Sequence, residues 1–233
     1  MKENTNYSNI QKIFKNNGGF ITRADIDAAD IPSWFLSDFV KRNNLIKVAP
    51  GFYASNDFLV DDLFVLQKRF SKYIFSGMSA LYLHGLTDKI PTEIEVTAPQ
   101  NYNPSRKVID NLSIHKISND DKYRLGIEEV KTMFGNIVKV YDSERTICDV
   151  IKYRDRYDSE TFVKAVKSYV RNTNNQIKLF RYARELGIEK KVYEVMQVLT
   201  NDIYWIIKSM SETSLNKLDK SSSLLMTRFF VLS

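Results

Sequence analysis

Cysteine is nearly absent from this chain. The one copy, Cys148, excludes an intramolecular disulfide, and a zinc site would have to be assembled from the two histidines, His84 and His115, with carboxylates. No metal and no cofactor is expected. Long apolar runs are missing as well: Met1 to Asn9 is polar, unlike a signal peptide, and no later stretch approaches the ~20 apolar residues that span a bilayer. A soluble protein of the reducing cytoplasm is predicted. Internal repeats and low-complexity tracts are lacking, and Ser221 to Ser223 is too short to matter. Catalytic signatures are lacking too. There is no Gly-Ser followed by a paired Asp-x-Asp or Glu on a strand, no Walker-type Gly-Lys-Ser, no Gly-x-Ser-x-Gly and no His/Cys cluster with metal spacing, so a non-enzymatic role is predicted.

What is present is apolar content and positive charge. With 233 residues, 43% of them hydrophobic, the chain can bury one large core or two small ones. A formal net charge of +6 and a pI near 9.2 fit a polyanionic partner, because each phosphate neutralised by Lys or Arg releases counterions; they equally fit a solvated positive face.

The N-terminal segment reads as helix, helix, helix, hairpin. Ile10, Ile13 and Phe14 recur at helical spacing from Tyr7 to Asn16, and Gly18-Gly19 stops that helix. Thr22 is an N-cap candidate for a short helix through Ile26 to Ala29, with Asp25 in its first turn. Pro32 suits the first turn of a third helix with the stripe Phe35, Leu36, Phe39 and Val40, closed by Asn43-Asn44. From Leu45 to Ala54, two β-favouring runs flank Pro50-Gly51, a turn signal. This order is that of a winged helix-turn-helix, whose third helix enters the major groove. The candidate DNA-facing residues are Ser33, Trp34, Ser37, Lys41 and Arg42 on that helix and Lys47 in the wing. Asp38 opposes DNA there unless it pairs with Lys41 or Arg42 or accepts from a cytosine amino group. Trp34 reads either as a DNA contact or as a partly buried aromatic, and the winged helix reads either as a DNA reader or as a protein-binding module.

Asp57 to Phe70 carries enough apolar residues for a connecting helix. A short strand, a Ser-Gly turn and a small-residue helix ended by His84-Gly85 follow, with His84 assigned to the helix end rather than to catalysis. Glu93 to Thr97, Leu112 to Ile117, Glu129 to Phe134 and Ile137 to Tyr141 read as strands of a mostly antiparallel or mixed sheet, the last two forming a hairpin around Gly135-Asn136; Pro99 to Lys107 is a polar loop. Helices are predicted over Ser143 to Tyr153, Ser159 to Arg171, Gln176 to Glu185 and Glu189 to Leu199, with Ser143 and Asp158 as N-caps. Between Lys139 and Lys191 stand thirteen Lys and Arg against eight Asp and Glu. A second basic face is therefore considered, with Arg145, Lys152, Arg154, Arg156, Lys164, Lys167 and Arg171 as its members. The competing readings are a solvated, salt-bridged helix surface and, for Arg145 and Asp149, a buried structural pair. The fold class is α+β: an N-terminal winged helix-turn-helix plus a C-terminal mixed α/β domain with a small sheet and a helical bundle. The expected divisions are 1–56, a connecting helix 57–72, an α/β domain 73–199 and a helical extension 200–233.

With these segments placed, the chain resembles the AbiEi-like antitoxins of abortive-infection type IV toxin-antitoxin systems. The resemblance is carried by the wing Lys47 to Ala54, by Ser79-Ala80-Leu81-Tyr82-Leu83-His84-Gly85-Leu86-Thr87-Asp88 with Pro91 and Val96-Thr97, and by Asp142 to Asp149, and it extends over most of residues 5–199. It implies a repressor that binds double-stranded DNA, at inverted repeats in its own promoter. It also implies a C-terminal domain opposing a nucleotidyltransferase toxin without a stable complex. Residues 200–233 match no part of that pattern. Two other classes stand beside this reading: a stand-alone regulator whose C-terminal domain dimerises or senses a ligand, and a degenerate nucleotidyltransferase-like enzyme.

Overall fold

The computed structural model describes residues 2–103, 111–172 and 175–199. Helix α1 (Lys2–Asn16) starts upstream of the apolar spacing and ends before Gly18 and Gly19, both at positive φ. β1 (Phe20–Thr22), which periodicity does not announce, leads directly into α2 (Arg23–Ala28). Thr22 caps α2 in a reciprocal box: its hydroxyl accepts from the Asp25 amide at 3.1 Å, and the Asp25 carboxylate accepts from the Thr22 amide at 2.8 Å. α3 (Ser33–Arg42) follows with Pro32 in the N-cap position and buries Phe35, Leu36 and Phe39. These pack with Ile10, Ile21, Ile26 and Ile31 into one core, each large side chain contributing about 1.5–3 kcal/mol. β2 (Ile46–Ala49) and β3 (Phe52–Ala54) form the wing around Gly51, whose φ of 75° suits glycine. Together the strands make an antiparallel sheet in the order β1-β3-β2.

The other face of that small sheet is also covered. Phe20 and Phe52 stack with centroids 4.9 Å apart, and Phe58 and Phe64 meet Phe20 edge to face. Phe64 lies on α4 (Asp62–Arg69), which begins at Asp62 rather than Asp57 because the Asp61 carboxylate accepts from the Phe64 amide at 3.2 Å and fixes the start there. The same apolar cluster continues into Phe75, Val96, Val138 and Val140 of the larger sheet.

That sheet is built from β4 (Ile74–Phe75), β5 (Ile94–Pro99), β6 (Leu112–Ile117), β7 (Ile127–Lys131) and β8 (Ile137–Tyr141) in the order β6-β5-β4-β8-β7. It is mixed: β4 pairs antiparallel with β5 but parallel with β8, β5 and β6 are parallel, and β7 and β8 form the expected hairpin. β7 stops at Lys131 instead of Phe134, because Gly135 N donates to Thr132 O at 2.9 Å and closes the turn early. Between strands lie α5 (Gly77–Leu83) and α6 (Asp120–Arg124), the latter capped by Asn119 and unforeseen from sequence. Arg106 and Lys107 of the polar loop lie outside the described residues, as do 200–233.

The described residues fold as two compact units that divide between Thr146 and Ile147, inside α7 (Ser143–Lys152). The N-cap of α7 is Asp142 and not Ser143, since the Arg145 amide donates to the Asp142 carboxylate at 2.8 Å. In the second unit a 3₁₀ turn (Arg154–Arg156) precedes α8 (Ser159–Asn172), α9 (Gln176–Leu186) and α10 (189–199). Asp158 caps α8 as expected, its carboxylate accepting from Thr161 N at 2.9 Å. Cys148 is fully buried, 3.7 Å from the Leu179 carbonyl. No helix among the described residues is long and apolar enough to cross a membrane.

Candidate nucleic-acid interface

Successive residues of an α-helix turn by about 100°. On α3 this spacing sends Phe35, Leu36 and Phe39 into the core and leaves Trp34 and Lys41, two turns apart, in the middle of the opposite face, flanked by Ser33 and Ser37 on one side and by Asp38 and Arg42 on the other. Ser33, Trp34, Ser37, Lys41, Arg42 and the wing residue Lys47 are all exposed. Trp34 is 54% exposed and stacks on Phe35 with centroids 3.7 Å apart, which holds the indole against the helix while one face stays open. Among the described residues Lys41 and Lys47 have no carboxylate partner.

Trp34 separates two hollows. One, of about 430 Å³, lies between α3 and the wing and is lined by Arg23, Ser33, Ser37, Gly51 and Tyr53 as well as the indole. The other, of about 570 Å³, lies between α3 and α1 and includes Tyr7, Gln11, Asp38 and Arg42. Each hollow holds one arginine, and each arginine is held by an aspartate one helical turn away. Arg42 Nε is 2.8 Å from Asp38, with its guanidinium 5.3 Å from the Tyr7 ring centre; Arg23 Nε is 2.8 Å from Asp27. The Asp38 question posed by the sequence is thereby answered in favour of Arg42. Arg23 was missed. Its signal was available: a cation in the first turn of a helix opposes the helix dipole, and so calls for a reason other than helix stability.

The members of the expected second basic face stand in different surroundings. On α8, Thr161, Phe162, Ala165, Val166 and Tyr169 are buried, and Lys164, Lys167 and Arg171 follow one another along the opposite side. Arg156 is exposed over the Tyr153 ring at 4.7 Å, and Lys152 is partly buried over the same ring at 5.1 Å. Arg154 is spent on local structure: it donates to Tyr157 O at 2.7 Å and Ser159 Oγ at 2.9 Å and covers Phe162. Arg145 does not belong to a solvent face. At 1% exposure, its guanidinium donates to the Lys122 and Leu125 carbonyls at 2.6 and 3.1 Å and lies 4.4 Å from the Tyr141 ring centre. A guanidinium removed from water needs its donors satisfied, and the C-terminal end of α6 supplies the acceptors.

Other polar groups are likewise occupied. His84 is the C-cap of α5, and its Nε2 donates to the Tyr141 carbonyl at 2.7 Å, so the ring joins α5 to β8. The Asp61 carboxylate, besides capping α4, accepts from the Thr132 hydroxyl and from Asn136 Nδ2 at 3.0 Å. Among the described residues no group of three or more His, Cys, Asp or Glu is placed to hold a metal ion.

In the larger fold, the chain is similar to the crystal structure of the RV2827C protein from Mycobacterium tuberculosis, with a TM-score of 0.50 at 13% identity, over 77% of this chain and 71% of that one. The likeness supports the mixed α+β architecture with a winged helix-turn-helix at its N-terminus. No curated protein matches the sequence. A family model described as "Transcriptional regulator, AbiEi antitoxin" matches residues 9–56, the stretch that contains α1, α2, α3 and the wing. Over residues 9–56, therefore, the chain is similar to the AbiEi antitoxin family of transcriptional regulators.

Proposed function

We propose that this chain is a DNA-binding autorepressor and an antitoxin that opposes a nucleotidyltransferase toxin without forming a stable complex with it. The observation that carries the DNA half is the outward face of α3, where Trp34, Lys41 and two serines stand exposed beside the wing in the region that matches the regulator family. In this reading residues 1–56 bind inverted repeats in the chain's own promoter through Ser33, Trp34, Ser37, Lys41, Arg42 and Lys47. Residues 57–72 connect, residues 73–199 oppose the toxin, and the protein acts in the cytoplasm without catalysis. The Lys164, Lys167 and Arg171 stripe adds phosphate contacts that do not depend on sequence.

The test is an electrophoretic shift with the fragment upstream of the gene. The full chain is expected to retard it more strongly than random DNA, and Lys41→Ala with Arg42→Ala is expected to abolish the shift at unchanged melting temperature. Unchanged affinity in that variant at matched salt would remove α3 from the interface. The antitoxin half is tested by rescue of toxin-arrested cells, expected of the full chain and not of residues 1–56.

One observation favours a second reading, a stand-alone regulator that senses a ligand: a cavity of about 320 Å³ lined by Leu63, Tyr82, Leu83, Ile94 and Phe134. The absence of a neighbouring reading frame encoding a nucleotidyltransferase, with DNA binding that changes when a small apolar molecule is added, would favour that alternative.

A further inference from the structure

The two arginines beside Trp34 share an arrangement that the proposed function does not use. Each points into a hollow that opens on the candidate interface, and each is held at 2.8 Å by an aspartate four residues away on its own helix, Arg23 by Asp27 and Arg42 by Asp38. The side chains are half or more exposed except for Asp38, at 32%. Pairs of this kind are weak in water and are readily exchanged. A carboxylate on a surface that meets phosphates is also an electrostatic cost, yet two are placed against the two arginines nearest Trp34.

We infer that Asp27 and Asp38 are resident counterions that restrain the arginines of the interface, so that DNA must displace a carboxylate before either arginine reaches a phosphate. On random DNA the exchange gains little, because one ion pair replaces another and the freed carboxylate stays close to the polyanion. On the operator, base contacts from α3 fix the protein in register and make the exchange worthwhile. The pairs thus lower affinity for random sequence more than for the operator, and set specificity without touching a base. Lys41 and Lys47, which have no such partner among the described residues, bind phosphate on any sequence. The inference rests on α3 and the wing being a DNA interface.

The experiment measures binding of the full chain to the upstream fragment and to a random duplex of equal length, across a salt series, for the wild type, Asp27→Asn, Asp38→Asn, the double variant and Glu129→Gln. Glu129 is an exposed carboxylate on β7, outside the winged helix, so its variant makes the same charge change away from the proposed interface. Each aspartate variant is expected to tighten random-DNA binding by about threefold to tenfold, to lower the operator-to-random ratio, and to steepen the dependence of log K on log salt by up to about 0.9, because an unpaired arginine now releases a full counterion. Glu129→Gln is expected to do neither. Equal tightening by Glu129→Gln would reduce the effect to net charge and overturn the inference. A loss of operator binding in Asp38→Asn would overturn it differently, by making Asp38 a reader of a base edge. Aspartate variants indistinguishable from a wild type that does bind the operator would overturn the inference alone, whereas failure of every protein to bind either duplex would overturn the DNA reading with it.

Discussion

Phe64 of α4 meets Phe20 of β1 edge to face, with ring centroids 5.4 Å apart and planes at 82°. This pairing makes the winged helix two-sided: an isoleucine-rich core under α3 on one face of its sheet, a phenylalanine cluster on the other. Of the four rings that meet there, Phe20, Phe52, Phe58 and Phe64, residues 1–56 contain only the first two.

The fragment 1–56 is therefore expected to unfold with a broad, weakly cooperative transition, exposing Phe20 and Phe52 on the face that α4 covers in the full chain. In the full chain, Phe64→Ala is expected to cost about 3–5 kcal/mol. Thermal melting and denaturant titration check both. A sharp transition for 1–56, equal in midpoint to the full chain, would show that α4 is dispensable to the winged helix.

Trp34 offers a spectroscopic reading of the interface. The chain has two tryptophans, so a Trp205→Phe background isolates Trp34 emission. Adding the upstream fragment is expected to quench or shift that emission, and Trp34→Ala is expected to weaken operator binding by about tenfold with little change in melting, because the indole is already half in water. Emission unmoved at saturating DNA would assign Trp34 to another surface.

Arg145→Ala is expected to destabilise the chain by about 3–5 kcal/mol, since it strips the Lys122 and Leu125 carbonyls of their donor and empties a buried site. Gly126→Ala probes the same place from the opposite side: at a φ of 78°, its added Cβ would lie 2.8 Å from Arg145 Cβ, and a melting temperature several degrees lower is expected. DNA affinity of the folded fraction should be unchanged in both. Wild-type stability in Arg145→Ala would contradict the structural role.

Charge reversal on α8, at Lys164, Lys167 and Arg171 together, is expected to reduce affinity equally for operator and random DNA and to flatten the salt dependence by about 0.9 for each phosphate no longer neutralised. Binding isotherms at several salt concentrations decide this. An unchanged slope would leave the stripe as solvated surface.

The sequence by itself determined the elements whose signals are local. The stripe Phe35, Leu36, Phe39 sets which side of α3 is buried, and so leaves Trp34 and Lys41 outward whatever packs below; Pro50-Gly51 dictates a turn, and Asp158 a helix start. Tertiary structure decided what depends on partners distant in the chain. β1 is three residues long, too short for periodicity, and exists because Phe20 to Thr22 pair with Phe52 to Ala54. In the sequence Arg145 stays open between a surface cation and a buried group; the carbonyls of Lys122 and Leu125, some twenty residues away, accept its donors and decide for burial. Arg23 lines the hollow of the candidate interface only because the fold brings α2 beside the wing turn and the start of α3. Helix and turn signals act over a few residues and are written in the order of side chains. Whether a charged group ends buried or exposed depends on which acceptors chain folding brings within about 3 Å of it, and that is a property of the packed structure alone.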